Sequence, residues 1–334
     1  MKETIQKERI KGVLIGCACG DAMGMPTEMM SREKIKEIFP EGIHDFYPST
    51  GFDFMERKMQ AGEITDDTIH TILICHMLRD HKQQIKAEDY LSYLQNWIKE
   101  NPEKSEYVTG PSTRRALQAI ENGTPIEKAG IFGTTNGASM KISPIGIISD
   151  YRDMESLADY VEQICLPTHF NQCAISGACA IAACVSYGVR GGNCLDDLWD
   201  IAIQAVRVGK KRGYQSPSVS LERRIKAIRE LVEQNTKQQV MDELVEFYGT
   251  GGETVETIPA VLAIVHLAKG NPMIAARISA EIGGDTDTIG AISTAICGGM
   301  YPEFSDEIIE KLETVNQIQF DELVEGLLSF MRNE

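Results

Sequence analysis

Basic residues are in short supply in this chain. Thirty-three Lys and Arg stand against 49 Asp and Glu, a formal charge of −16. Nucleic-acid duplexes and anionic membranes attract positive surfaces, so neither is the expected partner. No Cys-x-x-Cys pair occurs, which removes zinc-ribbon and thioredoxin-type sites from consideration. The nine cysteines are an odd number. Cys173, Cys179 and Cys184 fall in apolar small-residue runs, where a free thiol packs as a small hydrophobe. A reducing, cytoplasmic setting is the expectation. No uninterrupted apolar run approaches the ~18 residues of a membrane span. The longest candidate, 173–185, is mostly Ala, Cys, Ser and Gly. Leu14-Ile15-Gly16-Cys17 resembles a lipoprotein cleavage box. Glu3 and Glu8 precede it, however, and the apolar stretch is shorter than the ~7–15 residues of an export core. Strand-like alternation is scarce, and no fixed-period repeat is visible.

What remains is helical periodicity. Ile10, Val13, Leu14, Cys17 and Ala18 follow i, i+3, i+4, i+7, i+8 spacing, and 69–77 and 157–165 repeat the pattern. Further helices are predicted at 111–121, 172–188, 195–208, 220–234, 237–248, 258–269, 272–282, 288–299, 306–316 and 321–332. Pro111, Pro259 and Pro272 suit first helical turns, and Gly123 and Gly283 suit helix ends. The expected fold class is all-α. Gly12, Gly16 and Gly20 recur every four residues, which permits close backbone approach on one face. The stretch 40–64, with Pro48, Gly51, Phe52 and Phe54, lacks helical period and reads as a loop over a site.

Two acidic clusters stand at helix starts on the inward side. Thr65-Asp66-Asp67-Thr68 precedes one amphipathic helix, and Gly283-Gly284-Asp285-Thr286-Asp287-Thr288 precedes a small-residue helix. Capping accounts for either cluster alone. Brought together, four buried carboxylates repel and need counter-charge, which a metal supplies. The donors are oxygens, so hard cations (Mg²⁺, Mn²⁺ or Ca²⁺) fit better than zinc. Four carboxylates suffice for a bridged pair of ions. The clusters come from opposite ends of the chain, so sharing a site implies one domain over 1–334.

These blocks carry a resemblance. Gly20-Asp21-Ala22-Met23-Gly24, the two acidic clusters, Asn136-Gly137-Ala138-Ser139-Met140, Pro144, Gly146 and Thr168-His169 occur in order. The chain, from about residue 8 to residue 300, resembles the ADP-ribosylglycohydrolases, the group that includes dinitrogenase reductase-activating glycohydrolase. The resemblance implies a single-domain orthogonal multi-helix bundle around a dinuclear metal site. It implies two Mg²⁺ ions, with Mn²⁺ as the alternative, held by Thr65, Asp66, Asp67, Asp285, Asp287 and Thr288. It implies hydrolysis of the C1 ribosyl bond of an ADP-ribosylated protein or small molecule. Glu28, with Asp66 and Asp287, is the implied catalytic set; an ordinary loop glutamate is the plain alternative for Glu28. Ser112, Asn136, Gly137, Met140, Lys141 and His169 are the implied substrate contacts. Asp21, on the inward face of the first helix, reads as a hydrogen-bonding support rather than a catalyst.

The substrate side departs from the family pattern. Lys141 stands where the pattern carries Arg, which exchanges a planar fork for a point charge. Ser112 replaces a common Asn. A hydrolase of a small ribosyl compound or nucleoside is therefore the second reading. A non-catalytic binding protein on the same fold is the third, and a phosphohydrolase a weaker one. Gly110-Pro111-Ser112-Thr113 opens a helix that meets a phosphate or merely caps. The run Arg207, Lys210, Lys211, Arg212 reads as a solvated charge cluster or an anion site. His76 sits on an apolar stripe and reads as a core residue.

Overall fold

The structure is a computed structural model and describes residues 2–52, 56–81 and 84–332. Phe54 lies outside these residues. Eighteen α-helices form within them. The first nine are α1 (Lys2–Gly24), α2 (Arg32–Ile38), α3 (Asp66–Asp80), α4 (Ala87–Glu100), α5 (Pro102–Val108), α6 (Pro111–Glu121), α7 (Ile126–Ala129), α8 (Ser143–Ile148) and α9 (Met154–His169). The rest are α10 (Gln172–Val189), α11 (Leu195–Gly209), α12 (Leu221–Gln234), α13 (Lys237–Glu243), α14 (Thr254–Leu267), α15 (Pro272–Ile282), α16 (Thr286–Met300), α17 (Asp306–Asn316) and α18 (Phe320–Met331). The described residues contain no strand; three isolated bridges join Met30 to Gly284, Thr135 to Glu253 and Asn171 to Tyr214. The all-α expectation holds.

The glycine spacing of α1 explains how the two ends of the chain meet. A Cβ added at Gly12, Gly16, Gly20 or Gly24 would overlap the carbonyl oxygen of Gly298, Thr294, Gly290 or Thr286, respectively. Helices α1 and α16 therefore run antiparallel in backbone contact along their length, an approach that only residues without a side chain allow. The C-terminal end of α1 is thereby fixed beside the N-terminal end of α16. Thr286 Oγ1 donates to Gly24 O at 2.8 Å and locks that end.

Helix α10 is long and apolar enough, by length and composition, to cross a membrane, which the uninterrupted-run reading did not anticipate. All of its residues are buried in this protein. It packs against α8, α9, α11, α14 and α16 and serves as the central core helix. All nine cysteines are free, and eight are buried.

Three helical expectations change. Helix α14 begins at Thr254, so Pro259 lies inside it rather than in its first turn. The 237–248 segment ends as a π turn over Leu244–Tyr248. Helices α2, α4, α5, α7 and α8 were not anticipated. Residues 39–52 and 56–65 form no helix, as the lack of period indicated. The two arginines of the basic run form ion pairs: Arg212 meets Glu162 at 3.0 Å and Arg207 meets Glu222 at 2.8 Å. His76 is half-buried and lines a separate cavity beside Trp97.

Candidate functional site

Helix α3 starts without a cap from its own Thr65 side chain. Asp21 on α1 takes that role from across the seam. Its carboxylate accepts Thr65 N at 3.0 Å and Thr68 N at 3.1 Å. It also accepts Thr65 Oγ1 at 2.9 Å and Thr68 Oγ1 at 2.5 Å. Free N–H groups at a helix start attract such a carboxylate. Asp21 is thus the hydrogen-bonding support expected of it.

Helix α16 starts after Gly283 and Gly284, with φ of 83° and 80°. That backbone region favours glycine. It lets Gly284 pair with the loop after α1: Met29 N donates to Gly284 O at 2.7 Å, and Gly284 N to Met30 O at 2.9 Å. The pairing delivers Glu28 beside Asp285 and Asp287. Asp285 is held from the other side, where Asn136 Nδ2 donates to its Oδ2 at 2.5 Å. The same nitrogen reaches Thr257 Oγ1 at 2.9 Å.

Two carboxylate triads result. Asp21, Asp67 and Asp287 place one oxygen each within 4.8 Å of one another, and so do Glu28, Asp285 and Asp287. Asp287 belongs to both. Thr65 Oγ1 and Thr288 Oγ1 point at Asp67 Oδ2, at 3.0 and 3.3 Å. Asp67 Oδ1 is buried without a partner. Asp66 is half-buried and lines the neighbouring cavity. The counter-charge nearby is Arg57, whose guanidinium lies 2.6 Å from Glu28 Oε2 and 4.0 Å from Asp287 Oδ2. Ser49 holds the arginine's backbone: its hydroxyl donates to Arg57 O at 2.7 Å and accepts Met59 N at 2.9 Å.

The electrostatics follow from this crowding. Burial, then Asp287, Asp21, Asp66 and Asp285, pushes Asp67 well above the usual carboxylate range. Burial, then Asp285, does the same to Asp287. Glu28 is raised by burial and by Asp287, against the pull of Arg57. Asp66 is pushed up to about 7, first by burial and then by Glu28 and Asp21. Asp285 is pushed up to about 6 by burial and then Glu28. Six carboxylates face one guanidinium. Two divalent cations plus Arg57 would balance five of the six. The oxygen-only donor set and the unpartnered Asp67 oxygen therefore fit hard metal ions.

Beside the triads opens a cavity of about 630 Å³. Glu28, Asp66, Asp67, Asp285, Asp287 and Thr288 line one side. Ser112, Asn136, Gly137, Met140 and His169 line it as well, with Arg57, Arg114 and Arg115. His169 packs so closely on Gly137 that a Cβ there would lie 2.7 Å from Cε1 and Nε2 of the ring.

Lys141 is placed differently from the expectation. It is fully buried, its ammonium donates to Thr168 Oγ1 at 3.2 Å, and it stands over the Tyr90 ring at 4.8 Å. It does not line the cavity, because α8 begins two residues on and turns the side chain into the core. Thr65 does not line the cavity; its hydroxyl lies beside the first triad, on Asp21 and Asp67. Arg57, Thr135 and Arg115 were missed. Arg57 sat in the stretch read as a loop over a site, the one available signal. Arg115 follows from helical spacing after Ser112, since i and i+3 share a face.

Comparison with known proteins identifies the family and the fold. The family profile described as ADP-ribosylglycohydrolase matches residues 1–333. An uncharacterized protein of Escherichia coli (strain K12), YegU, is 32% identical over 332 residues, 98% of each chain. The ADP-ribosylhydrolase ARH3 of Bos taurus is 24% identical over 324 residues, covering 88% of this chain and 85% of that one. A solved structure described as an ADP-ribosylglycohydrolase-related protein complex superposes with a TM-score of 0.71 at 19% identity, over 98% of this chain and 99% of that one. The fold is therefore shared with that structure, and relatives in the family are hydrolases of ribosyl glycosidic bonds. The profile spans nearly the whole sequence rather than one motif, and the chain belongs to the ADP-ribosylglycohydrolase family.

Proposed function

We propose that this protein is a metal-dependent glycoside hydrolase that cleaves the C1 ribosyl bond of an ADP-ribosylated protein or small molecule and releases ADP-ribose. The observation that carries the reading is the pair of carboxylate triads sharing Asp287 at the edge of the cavity. Asp67, Asp285 and Asp287 would hold two Mg²⁺ ions, or Mn²⁺, with Asp66, Thr65 and Thr288 completing the oxygen donors. When bound, the ions supply positive charge that orients the ribose hydroxyls and a water. In the hydrolysis the water oxygen bonds to C1, the C1–leaving-group bond breaks, and the water's proton passes to the leaving group. Glu28 faces the cavity and is the group proposed to move that proton. Arg57 holds Glu28 in place by its ion pair.

A second reading keeps the ions and takes a small ribosyl compound or nucleoside. It is favoured by Lys141, whose buried ammonium is not offered to a diphosphate. Two measurements test the proposal. Glu28→Gln should lower turnover by about a hundredfold with ion binding little changed; near-normal turnover would remove Glu28 from the mechanism. Free ADP-ribose should inhibit more strongly than ribose 5-phosphate, and that more strongly than ribose. A flat series would contradict the ADP-ribose reading and leave the small-substrate reading.

A further inference from the structure

A row of five polar side chains runs through the wall opposite the carboxylates. Lys141 Nζ lies 3.2 Å from Thr168 Oγ1. Thr168 Oγ1 lies 2.8 Å from His169 Nδ1, and His169 Nε2 lies 3.0 Å from Thr135 Oγ1. Thr135 Oγ1 lies 3.2 Å from Ser112 Oγ, which lines the cavity. An ammonium donates and never accepts. Thr168 Oγ1 therefore accepts at the lysine and keeps one proton to give. Among the described residues its partner for that proton is His169 Nδ1. A neutral imidazole that accepts at Nδ1 carries its proton on Nε2. Burial, reinforced by the Lys141 charge, holds His169 well below the usual histidine range, so the ring is neutral. Nε2–H then donates to Thr135 Oγ1, and the Thr135 proton goes to Ser112 Oγ. Ser112 Oγ also accepts from the Arg115 guanidinium at 3.5 Å. With both lone pairs engaged, Ser112 has only its proton left to offer.

The opposite direction fails on one atom. His169 Nδ1–H and Lys141 would both donate to Thr168 Oγ1, and the buried Thr168 proton would have no acceptor. Burying an unpaired donor is disfavoured. Lys141 is buried without an ion pair among the described residues, and its ammonium meets Thr168 Oγ1 and the face of Tyr90.

We propose that Lys141 is a positioning residue: through Thr168, His169 and Thr135 it fixes the imidazole as the Nε2–H tautomer and turns the Ser112 proton into the cavity, where it binds a phosphoryl oxygen of the ligand. Arg114 and Arg115 line the same wall and favour an anionic oxygen over a sugar hydroxyl. The choice of ligand rests on the hydrolase reading above; the tautomer does not.

The experiment is ¹⁵N NMR of the intact protein with labelled histidine, His169 being assigned by its loss in His169→Gln. The wild type should show a neutral Nε2–H ring. Lys141→Met, of similar length without the donor, should show both tautomers in exchange, and Lys141→Arg should restore Nε2–H. Calorimetry with ADP-ribose in Mg²⁺ adds a second readout. Ser112→Ala should weaken binding about tenfold in the wild type and about twofold or less in Lys141→Met, although the two residues do not touch. An Nδ1–H ring or an imidazolium in the wild type overturns the proposal, whatever the variants do. An equal Ser112→Ala penalty in both backgrounds overturns it too. Failure of every form to bind ADP-ribose, with the tautomer as stated, counts against the hydrolase reading and supports the ordering role of Lys141.

Discussion

The two walls of the cavity are made from opposite materials. One is built where the starts of α3 and α16 meet the loop after α1, and it presents five carboxylates, with Asp21 buried behind them and Arg57 as their counter-charge. The other is built from the start of α6, the 135–140 segment and the end of α9, and it presents hydroxyls, an imidazole and two guanidiniums. The acidic wall is internally frustrated: burial and mutual repulsion raise every carboxyl pKa that shifts there. In the donor wall a row of side chains passes its protons from one to the next, and Asn136 crosses to the acidic wall by donating to Asp285. The first is a demand for cations and the second an offer of donors to an anion. The proposed substrate would meet the bound ions with its ribose and the donors with its phosphates.

The comparison breaks most visibly at Asp287, the residue shared by both triads. Asp287→Ala should lower turnover by about a thousandfold or more, the scale seen when preorganised charge is removed from a site. The ion-free variant should melt no lower than the parent, because one repelling carboxylate is gone. Turnover assays and thermal melts without added metal check both halves.

The donor wall should give smaller, separable effects. Arg115→Ala removes a guanidinium that reaches Phe132 O at 2.8 Å and borders Ser112. It should raise KM about tenfold while kcat and ion affinity stay near the parent's, since a charged hydrogen bond contributes about 1.5–3 kcal/mol. A fall in ion affinity would show that the walls are not separate.

The smallest effect is in pH. Burial first, and neighbouring carboxylates second, push Asp66 up to about 7 and Asp285 up to about 6. A raised folded pKa means that the folded, ion-free protein holds protons the unfolded chain releases near pH 4. The resulting stability is present at low pH and is lost as pH rises toward about 7. Melts of ion-free protein should therefore decline from about pH 5 to pH 7.5. Mg²⁺ should flatten that decline, and an unchanged slope would contradict the electrostatics.

Much of the acidic wall was legible in the sequence because its residues stand at helix starts with strong local signals. The glycine spacing of α1 even indicated a close-packed face, and the seam with α16 is that face. Glu28 was found by its place after Gly-Asp-Ala-Met-Gly, not by period. The donor wall was less legible. Lys141 was expected to face a phosphate, but the short helix α8 turns it inward. Arg57 comes from an irregular segment, where no periodicity says which way a side chain points. Helix α4 was readable in principle, since Tyr90, Leu94 and Trp97 have i, i+4, i+7 spacing. Helix α14 misled because proline suits a first helical turn, whereas the helix begins five residues earlier, at Thr254, and keeps Pro259 inside.

The central claim is that the two triads, which share Asp287, would hold two ions, and ion stoichiometry tests it most directly. Equilibrium dialysis with Mn²⁺ should give two ions per chain for the wild type, one for Asp285→Ala and none held tightly by Asp287→Ala. Each protein should keep its helical content. Binding of Mn²⁺ to Asp287→Ala with the number and affinity of the wild type would contradict the account.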